Sequence, residues 1–339
     1  MAVLGREVKP QLSFLGCTLV ALTIIWMSCD SAPTSQPDIP AADRSIVVPQ
    51  FDEDSAYAYV ARQVAFGPRV PNTQAHAECA QWLANELSRH GAEVTIQEAR
   101  ARAFDGTVLE MKNIIGTFHP ESRDRILLFA HWDTRPFADK DSVRIREPID
   151  GANDGASGVG VLLEVARQLG LESADVGVDI VFFDAEDYGR PEWLPATENG
   201  YQDWCLGSQY WAQNPHRIGY RARFGILLDM VGARDAMFHQ EGTSLRYASH
   251  VVRKIWRRAK ELGYSNRFDP SPTPPTIDDN YFVSELAGIP SANIVDYRIQ
   301  IRPMGYGPFH HTHRDNMSII DKKTLGEVGT TVLSVVRQP

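Results

Sequence analysis

Residues 179–189 read DIVFFDAEDYG, an apolar run typical of a buried β-strand that passes directly into a cluster of acids. Asp184, Glu186 and Asp187 all lie within the four residues that follow this run. Burying ionised carboxylates is costly, so folding alone does not explain acids at the end of a core strand. The stretch therefore indicates a strand of the core and, at its carboxyl end, a group of side chains with a functional role.

Segments with strand and helix periodicity alternate along the chain on both sides of this stretch. Strand-like runs occupy residues 92–100, 111–119, 125–133, 178–186, 224–232 and 291–297, and helical spacing is found in 54–67, 73–91, 156–170, 203–213, 245–263, 280–288 and 322–336. This alternation predicts one α/β domain over residues 46–339, with three α/β/α layers and a mixed, mostly parallel central sheet. The strands before residue 124 are expected to pair antiparallel at one edge.

The N-terminal segment has a different composition. In residues 1–29, Arg6 and Lys9 precede a long apolar run that ends at Cys29, as in a signal peptide of the lipoprotein type. Residues 30–45, rich in Pro, Ser, Ala and Asp, are expected to form a flexible tether. We predict export to the periplasm or cell envelope, with a lipid anchor to the membrane at Cys29. An uncleaved anchor helix and a secreted protein are the alternatives.

The formal net charge is -9, from 43 acidic and 34 basic residues. This balance argues against a general nucleic-acid-binding protein. Outside the leader the chain contains Cys79 and Cys205, which an oxidising compartment would allow to pair. Two buried free thiols are the equally supported alternative.

Acids and histidines also follow the other predicted strands and a glycine-rich loop. The candidates are His131, Asp133, Asp154, Glu186, Asp187, Asp229, His310, His311, His313 and Asp315. In open α/β sheets, functional groups gather beyond the carboxyl ends of the strands, so we expect these side chains to converge. Converging carboxylates repel one another unless a cation or a proton neutralises them. A divalent metal ion satisfies this requirement, and histidine among the candidates favours zinc.

Three of the acids also have a purely structural interpretation. Asp154 lies in the loop GANDGASG, residues 151–158, where Asp or Ser can cap the start of a helix. Asp229 can be a salt-bridged core residue, and Asp279 can cap the helix that follows it. The order and spacing of the whole set favour the functional interpretation.

The order of the motifs resembles that of zinc aminopeptidase-like enzymes of peptidase family M28. The motifs are HWD at 131–133, NDGASG at 153–158, DAED at 184–187, LLDMVG at 227–232 and HTHRDN at 311–316. Within that fold, HWDTRPFADKD, FFDAEDYG and IDDNYF are most similar to the glutaminyl-peptide cyclotransferases of animals and bacteria. The resemblance extends from about Tyr57 to the C-terminus. It implies cyclisation of N-terminal glutamine in peptides or proteins to pyroglutamate, with release of ammonia.

The resemblance also implies a role for each matching residue. Asp154, Asp187 and His311 match the three protein ligands of a single zinc ion, so one ion per chain is expected. Glu186 matches the general acid/base. Animal cyclases have Glu where this chain has Asp187, and tryptophan where it has His310, so one wall of the substrate pocket must be built differently.

The remaining assignments concern the surroundings of the metal. Asp229 and Asp279 match two acids that form hydrogen bonds around the site and assist catalysis. His131 matches a neighbour of the metal and is a candidate ligand of a second ion. Trp193 is the expected substrate-packing residue. Phe309 is a second candidate for this role, and a position in the core is its favoured alternative.

Two other functions are compatible with the same residues. A dinuclear zinc aminopeptidase would use all five of its ligand positions, which are filled here by His131, Asp154, Asp187, Asp229 and His311. A surface lipoprotein with a binding role on the same fold would require no intact acid/base. The presence of Glu186 together with every ligand argues against this second alternative.

Overall fold

The structure is a computed structural model that describes residues 48–298 and 305–339. The predicted signal peptide, lipid-anchor site and tether lie outside the described residues, so export and lipid anchoring stay predictions. Over the part of the chain that is described, no helix is both long enough and apolar enough to cross a membrane.

Helices and strands alternate through most of the described chain. The helices are α1 (Glu53–Val64), α2 (Gln74–Arg89), α3 (Ala156–Leu171), α4 (Leu206–Gln213), α5 (Gly242–Glu261), α6 (Asp279–Ala287) and α7 (Lys322–Arg337). The strands are β1 (Glu93–Arg102), β2 (Val108–Phe118), β3 (Arg125–His131), β4 (Gly177–Phe183), β5 (Gly225–Asp229), β6 (Phe238–Gln240), β7 (Phe268–Pro272) and β8 (Ser291–Val295). Short 3₁₀ helices lie at Gly200–Asp203 and Met317–Ile319.

Six strands form the central sheet in the order β1-β2-β4-β3-β5-β8. Strands β4, β3, β5 and β8 run parallel, whereas β1 and β2 pair antiparallel at one edge. The predicted mixed α/β sheet with an antiparallel edge is therefore confirmed. Strands β6 and β7 form a separate two-stranded sheet, and neither strand was predicted from the sequence. Strand β6 has only three residues and β7 enters a proline-rich segment, so neither has a clear strand pattern.

The apolar run of β4 is explained by burial on both faces of the sheet. Ile180 and Phe182 pack in the core beneath α1, α2, α3, α5 and α7, whereas Val181 and Phe183 pack in a second core with α4 and α6. Successive strand side chains point to opposite faces, so a strand covered on both sides must be apolar throughout. This arrangement is the predicted three-layer α/β/α architecture.

The connections around β3 place a crevice at the carboxyl ends of the strands. Strand β4 lies on one side of β3 and β5 lies on the other, which makes this edge a topological switch point. Helix α3 begins very close to the sheet at Gly158. A Cβ atom there would lie 2.1 Å from the carbonyl oxygen of Leu228 and 2.9 Å from Cβ of Ala130. Glycine at this position therefore brings the loop before α3 to the strand ends.

Cys79 and Cys205 are both free and buried, so the free-thiol alternative holds and the disulfide alternative is wrong. Cys79 lies in α2 and Cys205 precedes α4. Burial raises the pKa of Cys79 to about 12, which keeps its thiol protonated and unreactive.

Candidate metal centre and active site

Unusual backbone conformations occur beside the predicted site residues. Ala185 (φ 52°), Met230 (φ 50°) and His311 (φ 55°) all adopt the left-handed region. Such a conformation costs a non-glycine residue about 1–3 kcal/mol, and surrounding structure must hold it in place. Ala185 directly precedes Glu186, and Met230 directly follows Asp229. The turns at the ends of β4 and β5 therefore aim these acids at the crevice.

Asp154, Asp187 and His311 converge as predicted. His311 Nε2 lies 3.2 Å from Asp187 Oδ1 and 3.8 Å from Asp154 Oδ2. Ligands held at about 2.0–2.1 Å in a tetrahedral zinc site lie roughly 3.3 Å from each other. Among the described residues, Asp154 Oδ2 and Asp187 Oδ2 are buried without a hydrogen-bond partner. His311 therefore lies close to both acids, and the donor chemistry suits a divalent ion. The group at this place that is compact enough to hold an ion consists of Asp154, His310 and His311.

A second, overlapping group is centred on His131. Its Nε2 lies 3.1 Å from Asp154 Oδ1 and 3.3 Å from Asp229 Oδ1, so Asp154 belongs to both groups. Burial lowers the pKa of His131, but Asp133, Asp154 and Asp229 outweigh it and raise that pKa well above its ordinary value. Asp229 is therefore a buried acid paired with His131, as the salt-bridge interpretation expected, and it also lines the cavity described below.

Buried acids hold the backbone of the metal-site loops. Asp133 accepts hydrogen bonds from the backbone amides of Glu186 (3.0 Å) and Asp187 (3.2 Å). Asp315 accepts from the amides of Asn153 (2.7 Å) and Asp154 (3.0 Å). Asp133 and Asp315 were both predicted as site residues, but their carboxylates bind the backbone of the loops that carry the metal-site residues. They fix the loops rather than facing the crevice.

Asp154 does not cap α3. The residue at the N-cap position is Gly155, which has no side chain to accept a bond from the helix. A Cβ atom on Gly155, whose φ is +97°, would lie 2.5 Å from the carbonyl oxygen of Asp133. Glycine here lets the loop pass close to β3 while the Asp154 carboxylate faces the two histidines. The capping interpretation of Asp154 is therefore wrong.

His310 lies beside His311 but has a different environment. Lys140 Nζ donates to His310 Nδ1 at 2.7 Å, which leaves the proton of the ring on Nε2. His310 Nε2 lies 3.9 Å from Asp154 Oδ2. A protonated nitrogen cannot bind a metal, so His311 is the better ligand. His313 turns away, with its ring 3.3 Å from the carbonyl of Arg144.

Glu186 is partly exposed to the crevice and surrounded by polar groups. The Cys205 thiol donates to Glu186 Oε1 at 3.1 Å, and Asp278 lies in the same cluster, with one atom of each residue within 4.8 Å of the others. Burial, reinforced by Asp187 and Asp278, raises the pKa of Glu186 well above its usual range. A carboxyl group with a raised pKa is suited to take up a proton and release it during a reaction.

These groups face a cavity of about 390 Å³. Its wall consists of Asp139, Lys140, Asp154, Glu186, Arg190, Glu192, Tyr201, Trp204, Asp229, Met230, Ile277, Asp278, Tyr306, His310 and His311. The size and the mixture of apolar and polar groups are typical of a small-ligand site. Its most polar part adjoins the metal-site residues.

The predicted substrate-packing residues do not line this cavity. Trp193 packs instead against Phe137, with ring centroids 5.3 Å apart, and beneath Arg146. Phe309 is a core residue. Trp204 takes the place expected for Trp193, with its ring parallel to His311 at a centroid distance of 5.9 Å. The loop after β4 is long, so spacing from the DAED motif did not identify the correct tryptophan.

Asp278, and not the predicted Asp279, lies at the cavity wall. Asp278 lines the cavity and caps α6, accepting from the amide of Asp279 at 2.6 Å. Asn293 Nδ2 also donates to Asp278, at 2.7 Å. Asp279 is fully buried behind the wall, and burial is the main cause that raises its pKa to about 7. Asp278 has an extended backbone and Asp279 is the first helical residue, so the two side chains point in different directions.

The sequence of the chain matches known proteins over most of its length. The sequence pattern of peptidase family M28 matches residues 113–336. Aminopeptidase YwaD of Bacillus subtilis is 25% identical over 232 residues, or 66% of this chain. The chain spans only 44% of that relative and 42% of a second curated relative.

Solved structures match more completely. Glutaminyl cyclase of Bacteroides thetaiotaomicron, bound to N-acetylhistamine, is 50% identical with a TM-score of 0.84, covering 86% of this chain and 100% of its own. The Tannerella forsythia glutaminyl cyclase is 52% identical with a TM-score of 0.83 and the same coverage. A Zn-dependent exopeptidase from Parabacteroides distasonis is 50% identical with a TM-score of 0.84, also with that coverage.

These findings agree with the fold and with the convergence of the metal-site residues. The family match covers all five motifs, from HWD at 131–133 to HTHRDN at 311–316. The chain therefore belongs to peptidase family M28.

Proposed function

We propose that the protein is a zinc-dependent glutaminyl-peptide cyclotransferase, which converts N-terminal glutamine of peptides or proteins to pyroglutamate and ammonia. The observation that carries this proposal is the position of Glu186, a partly exposed carboxyl of raised pKa beside Asp154, Asp187 and His311. The glutaminyl cyclases among the similar structures support the same function. Asp154, Asp187 and His311 would hold the ion, and we propose one ion per chain.

The reaction joins two groups of one substrate residue. The α-amine attacks the γ-amide carbon, a new C–N bond closes the five-membered ring, and the C–NH₂ bond breaks to release ammonia. A bound zinc ion supplies polarisation of the amide carbonyl. Because both reacting groups belong to one molecule, a cavity that holds glutamine in a folded conformation provides much of the rate enhancement.

Glu186 is placed to move the proton in this reaction. It would accept a proton from the attacking amine and return it to the departing nitrogen. Asp278, rather than Asp279, lies on the same side of the cavity and would accept a hydrogen bond from the leaving amide nitrogen. Asp229 would assist from the other side, and its own pKa is raised mainly by burial.

Aromatic residues of the cavity would orient the glutamine side chain. Trp204 is fixed between His311 and the Arg135 guanidinium, whose Cζ lies 4.7 Å from the ring centroid. Tyr306 lies against His310, with ring centroids 4.4 Å apart. These rings form the apolar part of the wall, the role that the sequence had suggested for Trp193 and Phe309.

A dinuclear aminopeptidase is the second candidate because of one specific observation. The spacing of His131, Asp154 and Asp229 is as suitable for a cation as that of the first group. In that enzyme Asp154 would bridge two ions and Glu186 would activate water. Several similar solved structures, at 46–52% identity, are glutaminyl cyclases, which supports cyclisation. A Zn-dependent exopeptidase and a leucine aminopeptidase precursor match at 50% identity, so the activity is distinguished by the product and not by the identity.

The mass of the product distinguishes the two functions. Incubating the full-length protein with a Gln-Ala peptide is expected to lower the peptide mass by about 17 Da, the mass of ammonia, as measured by mass spectrometry. Free glutamine with a shortened peptide would show hydrolysis and overturn the proposal. A peptide with N-terminal Asn is the control, because a cavity that positions the longer glutamine side chain should not cyclise it.

We expect Asp133→Asn to weaken zinc binding by about 10–100-fold, the usual effect of losing an outer-shell partner. Asparagine keeps one acceptor but places an NH₂ group against one of the two amides that Asp133 now holds. Competition with a chromophoric chelator measures the affinity. Asp175→Asn, at an exposed position, is the matched control. A zinc affinity within twofold of the parent would show that Asp133 does not support the metal loop.

A further inference from the structure

A row of exposed and half-buried side chains, most of them aromatic, begins at the cavity wall. Tyr201 and Ile277 belong to the cavity wall yet are 39% and 42% exposed. The ring centroid of Tyr281, in α6, lies 6.3 Å from that of Tyr201, and that of Tyr247, in α5, lies a further 6.2 Å away. We call Tyr201, Ile277, Tyr281 and Tyr247 the tyrosine strip.

The rings of the strip are held in defined orientations. The Tyr201–Tyr281 and Tyr247–Tyr281 pairs are both edge-to-face, with interplanar angles of 87° and 74°. The hydroxyl of Tyr247 donates to Glu285, and the Arg246 guanidinium lies over the Tyr247 ring. Rigid tyrosines with one exposed face lose little conformational entropy on binding and are enriched where proteins contact other chains. The strip is therefore suited to bind a peptide.

The path of the substrate leads to this surface. With the N-terminal glutamine inside the cavity, the rest of the peptide must leave through the mouth. The cavity wall includes the charged groups Lys140, Arg190 and Glu192 as well as the exposed side chains Tyr201 and Ile277, and the contacts of Tyr201 with Tyr281 lead from it onto α6. An extended peptide advances about 3.3 Å per residue, so one ring-to-ring step of the strip corresponds to roughly two residues. The strip is thus continuous with the cavity and has the spacing of an extended chain.

We propose that the tyrosine strip binds the residues that follow the N-terminal glutamine and selects substrates with aromatic or large apolar side chains there. This inference rests on the proposed cyclase function, because it takes the glutamine cavity as the starting point of the peptide. The strip packs against apolar side chains, whereas a carboxylate placed on aromatic rings loses water without gaining a partner. Glu285 and Arg246 both lie beside Tyr247 and have opposite charges. Peptides with acidic residues after glutamine are accordingly expected to be poor substrates.

A set of short peptide amides tests the proposal on the full chain. For the parent, kcat/KM for Gln-Phe-Phe-amide is expected to exceed that for Gln-Ala-Ala-amide by about tenfold, with Gln-Glu-Glu-amide the lowest. Tyr281→Ala is expected to reduce the Phe-to-Ala ratio to about twofold, and Tyr281→Phe to retain it. Ile218→Ala, at a fully exposed isoleucine outside the strip and the cavity wall, should leave the ratio unchanged. Circular dichroism verifies that each variant is folded.

The outcomes distinguish a failure of the strip proposal from a failure of the proposed cyclase function. If glutamine amide and all peptides are left uncyclised by the parent, the cyclase function is wrong. If the parent cyclises glutamine amide but treats the Phe, Ala and Glu peptides alike, the strip proposal is overturned while the cyclase function stands. A Phe-to-Ala ratio that persists in Tyr281→Ala also overturns it. Should Tyr281→Ala fail to fold, the same comparison is made with Tyr247→Ala.

Discussion

Glu186→Gln is expected to lower kcat for cyclisation by about 10²–10⁴-fold, the range that general acid–base catalysis contributes. Glutamine has nearly the shape of glutamate and can still accept the hydrogen bond from the Cys205 thiol. It cannot take a proton from the attacking amine, which is the step proposed for Glu186. KM should change little, because the substrate-packing rings are untouched.

The measurement is a steady-state comparison of ammonia release by the parent and the variant, together with zinc content and thermal unfolding. Zinc content and the unfolding midpoint should both match the parent. Glu93→Gln, at an exposed glutamate on β1, is the control for the substitution itself. A kcat within threefold of the parent in a folded, zinc-containing Glu186→Gln protein would remove Glu186 from the proton-transfer role and with it the central step of the proposed reaction.

The parts of the fold that sequence predicted are those fixed by local pattern. Strand β4 is apolar at every position because both of its faces are covered, and this continuous run is visible without knowledge of its neighbours. Asp154, Glu186, Asp187 and Asp229 were identifiable because charged residues directly after buried strands or in a glycine-rich loop have few structural explanations. Convergence then followed from the parallel direction of the strands.

What sequence did not predict depends on side-chain direction and on contacts between distant segments. Asp278 and Asp279 are identical neighbours, and only the start of α6 decides which one faces the cavity. Trp193 and Trp204 lie in one irregular loop. Packing against His311 places Trp204, and not Trp193, at the site. The thiol of Cys205 reaches Glu186 because its own backbone is left-handed (φ 57°), a feature that no composition or period reveals.

The sharpest test of the metal site compares residues of its two groups. His311→Ala is expected to weaken zinc binding by roughly 10²–10³-fold, because four ligands share a binding free energy of about 10–16 kcal/mol in structural zinc sites. Cyclisation should fall with the metal content at a given zinc concentration. His131→Asn is the matched change in the second group, and it should leave one zinc ion bound per chain, as measured by native mass spectrometry.

We expect different effects of the His311 and His131 substitutions because the carboxylate oxygens beside His311 lack hydrogen-bond partners. Within the described residues, His131 already bonds Asp229, and it shares Asp154 Oδ1, whereas Asp154 Oδ2 and Asp187 Oδ2 have no donor. Arg135 pairs with Asp187 Oδ1, but neither Oδ2 atom receives a hydrogen bond, so a cation beside His311 would satisfy both. His131 itself can neutralise the acids around it. Two zinc ions per chain in the parent, reduced to one by His131→Asn, would contradict this assignment and favour the dinuclear aminopeptidase.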